Sequence, residues 1–143
     1  TVQNYYDGKL LMEMEKRHRK FAGVPEAITP FYVNHEDTEC DLLLVGITST
    51  GGAIDEACEA LEAEGKKVNH LHLRLLSPFP AEALRPYIEG AKKVLIVEED
   101  LTEQLRELFA IHFSCHDKLL SCLQYDGTPF TASTILKKAK EVF

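Results

Sequence analysis

One stretch of sequence, from Leu73 to Leu105, most constrains what this chain can fold into. It contains an apolar run, a corner at Pro78-Phe79-Pro80, a short helical pattern over 81–89, a second apolar run at Val94–Val97 and an acidic end. Two buried strands joined through a helix form the repeating unit of a parallel sheet. The stretch therefore predicts a parallel β-sheet flanked by helices.

The same alternation of strands and helices continues on both sides of this stretch. Four strands are predicted, at Leu42–Val45, Val68–Leu76, Val94–Val97 and Leu119–Leu123. One face of Val68–Leu76 is polar, so this strand is expected near a sheet edge or beneath another subunit. Pro86 predicts that the helix over 81–89 is short or kinked. The predicted fold class is α/β, a three-layer α/β/α sandwich around a mostly parallel sheet.

The N-terminal part has a different pattern. Apolar residues recur at helical spacing from Asp7 to about Ala22, and the opposite face is basic at Lys16–Lys20. That basic end is typical of a solvated helix face or, alternatively, of an anion site. Residues 23–39 contain two prolines and no clear period, which predicts a linker or extended arm. We expect residues 1–40 to form a helix and arm that pack on another domain or subunit, and residues 41–143 to form the α/β domain.

Composition and charge exclude several classes of protein. The formal net charge of −7 disfavours binding to nucleic acid. No apolar run approaches the ~20 residues needed to cross a bilayer, so no membrane association is predicted. Residues 1–10 are polar, which argues against a signal peptide, and the first residue is Thr1, for which we favour a fragment of a longer protein.

The four cysteines do not form a C-x-x-C pair, so a zinc or iron–sulfur site in this chain is not predicted. Cys58 and Cys122 fall on predicted buried positions, where a thiol behaves as a small apolar side chain. A reducing compartment, the cytoplasm, follows as the expected location.

Two short segments are candidates for ligand or interface contacts. Ser49-Thr50-Gly51-Gly52 follows a strand and precedes a helix, which is typical of an anion site at a helix N-terminus or of a tight turn without a ligand. Glu98-Glu99 ends a strand, where paired carboxylates can supply a general base or interact with the next helix N-terminus. Asp100, with Glu103 three residues later, is expected to cap that helix.

No catalytic residue and no metal site is predicted. His70 and His72 share one face of a strand and can be placed on one metal ion, but the spacing suggests no third ligand. The sequence contains neither G-x-S-x-G nor H-E-x-x-H.

Several of these motifs together resemble a known family, the C-terminal domain of 2-oxoacid:ferredoxin oxidoreductase alpha subunits, which has a transketolase C-terminal-like fold. The main part of the resemblance is Leu73–Pro80 followed by Gly90–Glu99. It extends to Ser49-Thr50, Gly52, Gln104-Leu105, Asp126-Gly127, Pro129-Phe130 and the basic helix at Glu15–Lys20. The sequence departs from the family pattern at Gly46-Ile47 and after Glu99, which puts direct ligand contacts at those loops in doubt.

The resemblance implies a role within a larger enzyme. Such a complex decarboxylates a 2-oxoacid oxidatively, forms an acyl-CoA and passes electrons to ferredoxin. It uses thiamine diphosphate, magnesium and iron–sulfur clusters, which the family holds in other domains or subunits. The implied partners are a diphosphate-binding beta subunit and a pyrimidine-binding domain. This domain would then bind no cofactor alone and would act in subunit assembly.

Two alternatives remain open on sequence grounds. One is a free-standing module that binds a small anion or a nucleotide at residues 49–52. The other is the equivalent domain of a transketolase or of a 2-oxoacid dehydrogenase beta subunit.

Overall fold

The computed structural model describes residues 7–143. The first six residues, which begin the polar segment considered above for a signal peptide, lie outside the described residues. The α-helices in residues 7–143 are α1 (Lys9–Ala22), α2 (Val24–Ala27), α3 (Gly51–Ala63), α4 (Ala81–Gly90), α5 (Gln104–His112) and α6 (Ala132–Val142). The strands in the same range are β1 (Phe31–Val33), β2 (Cys40–Ile47), β3 (Val68–Leu73), β4 (Ala91–Glu98) and β5 (Leu119–Leu123).

The strands form one sheet in the order β1-β3-β2-β4-β5. Strands β2 to β5 are parallel to one another, and β1 pairs antiparallel with β3 at the edge. Strands β2 and β4, at the centre of the sheet, are largely apolar on both faces because helices cover both sides of the sheet.

Two separate apolar layers hold the helices on the sheet. On one face, α4 and α5 pack through Leu84, Ile88, Leu105 and Phe109. On the other face, α3 and α6 pack through buried side chains that include Ile54, Leu61, Ile135 and Ala139. The predicted three-layer α/β/α sandwich with a mostly parallel sheet is therefore confirmed.

The predicted second strand was too long. Strand β3 ends at Leu73, because the next two backbone N–H groups, of Arg74 and Leu75, donate instead to the carbonyl oxygen of Pro30 at 2.8 and 3.0 Å. The corner that follows places Phe79 against the rings of Phe109, Phe113 and His112, which fixes the start of α4. Helix α4 is short and contains Pro86, as predicted.

The segment over residues 23–39, predicted as a linker or extended arm, contains helix α2 and strand β1, and β1 extends the sheet. The segment after β1 is held by the buried amide of Asn69. Its Oδ1 accepts from the His35 N–H at 3.1 Å, and its Nδ2 donates to the carbonyl oxygens of His35 and Asp37 at 2.8 and 3.2 Å. Near the end of this segment, the backbone of Thr38 lies so close to Gly90 that a Cβ on residue 90 would overlap it.

Helix α1 has the predicted amphipathic pattern, but none of its residues is buried. Its apolar face, which includes Leu10, Leu11, Met14 and Phe21, is exposed. Within residues 7–143, no helix combines the length and the apolar character needed to span a bilayer.

Candidate functional site

The two candidate segments meet at the carboxyl edge of the parallel strands. The β2–α3 connection leads to one face of the sheet and the β4–α5 connection leads to the other. Because β2 and β4 are neighbours, the two connections diverge and leave a crevice between them, which is where ligands commonly bind in open α/β sheets.

The β2–α3 connection is a tight 3₁₀ turn over Thr48–Thr50. The buried Oγ1 of Thr50 accepts from the Ile47 N–H at 3.0 Å and donates to the Ile47 carbonyl oxygen at 2.9 Å. A Cβ at Gly46 would overlap both Ile54 Cδ1 and Thr50 Oγ1, so only glycine allows the turn to pack this closely. Thr50 therefore closes the turn, whereas Thr48 and Ser49 are exposed.

Gly51 and Gly52 form the first turn of α3 but have different surroundings. A Cβ at Gly51 would lie 3.1 Å from the His72 ring, whereas Gly52 faces open space. Gly51 therefore allows the helix to approach β3.

Glu98, at the end of β4, is only 3% exposed. Its Oε2 accepts from the Leu105 N–H at 2.6 Å and its Oε1 accepts from the Arg106 N–H at 3.4 Å. Burial raises the pKa of Glu98 to about 7, although the two N–H groups favour the charged form. Glu98 is therefore the residue that caps the first turn of α5, consistent with the expected role at a helix N-terminus.

Asp100 is not the cap, and this prediction was wrong. Its Oδ1 accepts from the Thr102 N–H at 2.7 Å, and α5 begins only at Gln104. The residue before the helix, Glu103, has a left-handed φ of 56°, which turns the chain so that the α5 N–H groups point toward Glu98.

A hydrogen bond across the crevice joins the two candidate segments. The Oγ of Ser49 donates to Oε2 of Glu99 at 3.1 Å. The crevice beside this bond has a volume of about 400 Å³. It is lined by Ile47, Leu76, Glu98, Glu99, Asp100, Gln104, Leu105 and Leu108.

The crevice combines aliphatic walls with three carboxylates. Only Glu98 and Glu99 of the six predicted candidates line the crevice. The other six lining residues were not predicted as site residues, namely Ile47, Leu76, Asp100, Gln104, Leu105 and Leu108. The sequence did indicate which residues lie at the carboxyl end of a strand or at the start of a helix. These positions predict a common crevice only when β2 and β4 are known to be neighbours.

The histidine pair lies away from the crevice, beneath α3. His70 Nδ1 is 2.7 Å from Asp55 Oδ1, and the His70 and His72 rings are 5.6 Å apart. Burial lowers the pKa of His70. Within residues 7–143, no three His, Cys, Asp or Glu side chains are grouped to hold a metal ion.

The thiols of Cys40, Cys58 and Cys122 are buried, and burial raises their pKa values to about 11, 12 and 11. These three side chains therefore pack as neutral apolar groups, as predicted for Cys58 and Cys122.

Comparison with known families matches residues 40–127 to pyruvate:ferredoxin oxidoreductase core domain II. The chain belongs to this family. The match covers more than half of the 143 residues and includes all six predicted candidates, Ser49, Thr50, Gly51, Gly52, Glu98 and Glu99.

Two curated relatives illustrate the similarity. The 2-oxoacid:ferredoxin oxidoreductase 2 subunit alpha of Aeropyrum pernix is 34% identical over 131 residues, which are 90% of this chain and 20% of that protein. The 2-oxoglutarate oxidoreductase subunit KorA of Mycobacterium tuberculosis is 50% identical over 52 residues, 34% of this chain and 8% of that protein. The chain spans about a fifth of the length of the first relative.

Solved structures agree with this family assignment. A 2-oxoglutarate:ferredoxin oxidoreductase from Magnetococcus marinus superposes with a TM-score of 0.82 at 27% identity, over 92% of this chain and 23% of that chain. The alpha chain of a probable 2-oxoacid ferredoxin oxidoreductase from Thermoplasma acidophilum gives 0.52 at 32% identity, over 79% and 96% of the two chains. A transketolase from Pichia stipitis gives 0.57 at 15% identity, over 79% and 18%, and is similar in fold alone. The predicted resemblance and the transketolase C-terminal-like fold are confirmed.

Proposed function

We propose that the chain is the non-catalytic assembly domain of a thiamine-diphosphate-dependent 2-oxoacid:ferredoxin oxidoreductase. In this proposal the whole complex decarboxylates a 2-oxoacid oxidatively, forms an acyl-CoA and reduces ferredoxin. Family membership and the Aeropyrum pernix alpha subunit support the proposal. The superposed Magnetococcus marinus enzyme, solved with 2-oxoglutarate, coenzyme A and succinyl-CoA bound, supports it further.

The observation on which the assembly role depends is that the polar groups of the crevice hold the chain's own backbone. Thr50 closes the β2–α3 turn, Glu98 caps α5, and Ser49 donates to Glu99 across the gap. A nucleophile needs an adjacent base, and a general base needs access to a substrate proton. Thr50 and Glu98 are engaged in fixing loop positions.

The crevice does not fit thiamine diphosphate or another anionic ligand. The carboxylates of Glu99 and Asp100 line it, and they would repel a diphosphate. We therefore assign thiamine diphosphate, its magnesium ion and the iron–sulfur clusters to other parts of the complex. The same repulsion argues against the alternative of a free-standing anion or nucleotide module.

The proposed partners are a diphosphate-binding beta subunit and a pyrimidine-binding domain, with ferredoxin and coenzyme A as partners of the whole complex. We retain residues 41–143 as the α/β domain and 1–40 as the helix and arm, with β1 as the point where the arm joins the sheet. The four free cysteines are in keeping with assembly in a reducing cytoplasm.

Reconstitution tests the proposal. The chain alone, the other subunits alone and the assembled mixture are assayed for CoA-dependent reduction of a viologen dye by a panel of 2-oxoacids. We expect turnover only in the mixture, together with co-elution of the chain and its partners in gel filtration. Turnover by the chain alone would overturn the non-catalytic role, and full turnover by the other subunits without it would overturn the assembly role.

A further inference from the structure

We infer that the crevice is a docking site for a segment of another subunit or domain of the complex that presents a lysine or arginine next to an aliphatic side chain. This inference rests on the proposed assembly function and specifies the chemistry of the partner. It is argued from the charge of the crevice, its apolar walls and its position.

The first step is the unmatched charge. Within residues 7–143, eight pairs of a Lys or Arg side chain with a carboxylate and two histidine–carboxylate contacts lie within 4.0 Å, and none of these ten contacts includes Glu98, Glu99 or Asp100. Glu99 is exposed and Asp100 is partly exposed, so a partner can reach both carboxylates. Opposite charges arranged in this way favour the encounter with a cationic partner and disfavour an anionic one.

The second step is the apolar wall. Leu76 is 42% exposed where it lines the crevice, and Leu101, in the loop beside Asp100, is 62% exposed. Ile47, Leu105 and Leu108 continue the same wall inward. An aliphatic side chain inserted here would be removed from water together with these leucines, which is the main source of favourable free energy at protein interfaces.

The third step excludes other occupants. Phosphate, nucleotides and coenzyme A are anionic and would face the carboxylates of Glu99 and Asp100. A second copy of this chain has a net charge of −7, and two such copies repel one another. A partner of complementary charge fits the crevice better than either.

The charge preference can be measured on the chain without any partner. Backbone amide NMR shifts are followed during titration with hexylguanidinium, with hexanoate and with inorganic phosphate. We expect saturable shifts at Ser49, Leu105 and their neighbours with hexylguanidinium only, and weaker shifts in the Glu99→Gln, Asp100→Asn variant. Shifts at these amides with hexanoate or phosphate instead would overturn the inference.

The docking role is measured on the complex. We expect the Glu99→Lys, Asp100→Lys variant to bind the partner subunits at least ~10-fold more weakly, with a reduced dependence on salt. The control, Glu56→Lys with Glu59→Lys, makes the same change of charge on the exposed face of α3 and should bind within ~2-fold of wild type. Equal loss of binding in both variants, or none in either, would overturn the inference but leave the assembly function standing.

Two further outcomes separate the proposals. If the wild-type chain does not associate with the other subunits, the assembly function itself fails, and the docking inference fails with it. If sedimentation shows that the wild-type chain dimerises and that the double-lysine variant does not, the occupant is a second copy and not a partner subunit. Circular dichroism confirms that each variant is folded before its binding is interpreted.

Discussion

The strongest test of the fold concerns the buried side chain of Asn69, which holds the segment after β1 on the sheet. Asn69 is 2% exposed and makes three hydrogen bonds to the backbone of His35 and Asp37. Each such bond contributes about 0.5–1.5 kcal/mol net, and buried groups left without partners add to the loss. We therefore expect Asn69→Ala to cost about 3 kcal/mol, with the loss concentrated in residues 34–39.

A second substitution separates hydrogen bonding from packing. Asn69→Asp has nearly the same shape and keeps the acceptor for the His35 N–H, but its carboxylate would face two carbonyl oxygens at 2.8 and 3.2 Å. At neutral pH it should therefore be at least as destabilising as Asn69→Ala. Asn34→Ala, in the same segment, removes only an exposed bond to Asp55 and should cost less than about 1 kcal/mol.

Hydrogen exchange and urea unfolding measure these effects. The His35 amide donates to Asn69, so its exchange should become ~100-fold faster in Asn69→Ala if the local loss is about 3 kcal/mol. Urea unfolding gives the global free energy of unfolding and reveals any change in m-value. An unchanged His35 exchange rate, or a cost equal to that of Asn34→Ala, would show that the arm is not held by this side chain.

Three other experiments test separate parts of the molecule. Because the pKa of Glu98 is raised to about 7, the folded chain keeps a proton between pH 4.5 and 7 that the unfolded chain loses. The free energy of unfolding of the wild type should therefore fall as the pH rises, relative to that of Glu98→Gln. Urea titrations of both proteins at pH 5 and 8 should show a difference of up to about 3 kcal/mol. Gly46→Ala should cost about 1–3 kcal/mol because its Cβ would overlap Ile54 and Thr50. Gly52→Ala, whose Cβ would have nothing within 4 Å, should be neutral or slightly stabilising. A lower melting temperature for Gly52→Ala than for Gly46→Ala would contradict the packing of the β2–α3 turn. Phe79→Ala should cost about 2–4 kcal/mol, since its ring packs on three others, and a cost below about 1 kcal/mol in urea unfolding would show that the corner does not support α4.

The parallel part of the fold was predictable because its strands are almost continuously apolar. Apolar strands such as β2 and β4, joined through helices, can be buried in few arrangements other than a parallel sheet covered on both faces. Strand β1 was not predictable on the same grounds. It has three residues, none of them fully buried, and its partner β3 lies almost forty residues later in the chain. The pairing depends on Asn69 and Pro30, whose roles appear only when the chain is folded.

The candidate site was predictable in its parts but not in its arrangement. The sequence indicated Ser49 and Glu99 separately, each from its place after a strand. Their contact depends on β4 lying beside β2, and strand order is not encoded in the apolar pattern. The residue that caps α5 was likewise not predictable from spacing. Asp100 has the expected spacing, but the left-handed turn at Glu103 places the first turn of α5 against Glu98 instead.

The range of lengths among the relatives bears on how such a domain can work. The matched region makes up 96% of the Thermoplasma acidophilum alpha chain but 20% of the Aeropyrum pernix subunit. The two apolar layers give this body a core of its own. In the proposed docking role, a partner would contact its surface. The crevice places exposed carboxylates beside half-exposed leucines, which fits the proposed cationic and aliphatic occupant. Removing the charges while keeping the leucines should therefore weaken specific association and increase nonspecific self-association together, and sedimentation of the Glu99→Gln, Asp100→Asn variant measures the second effect directly.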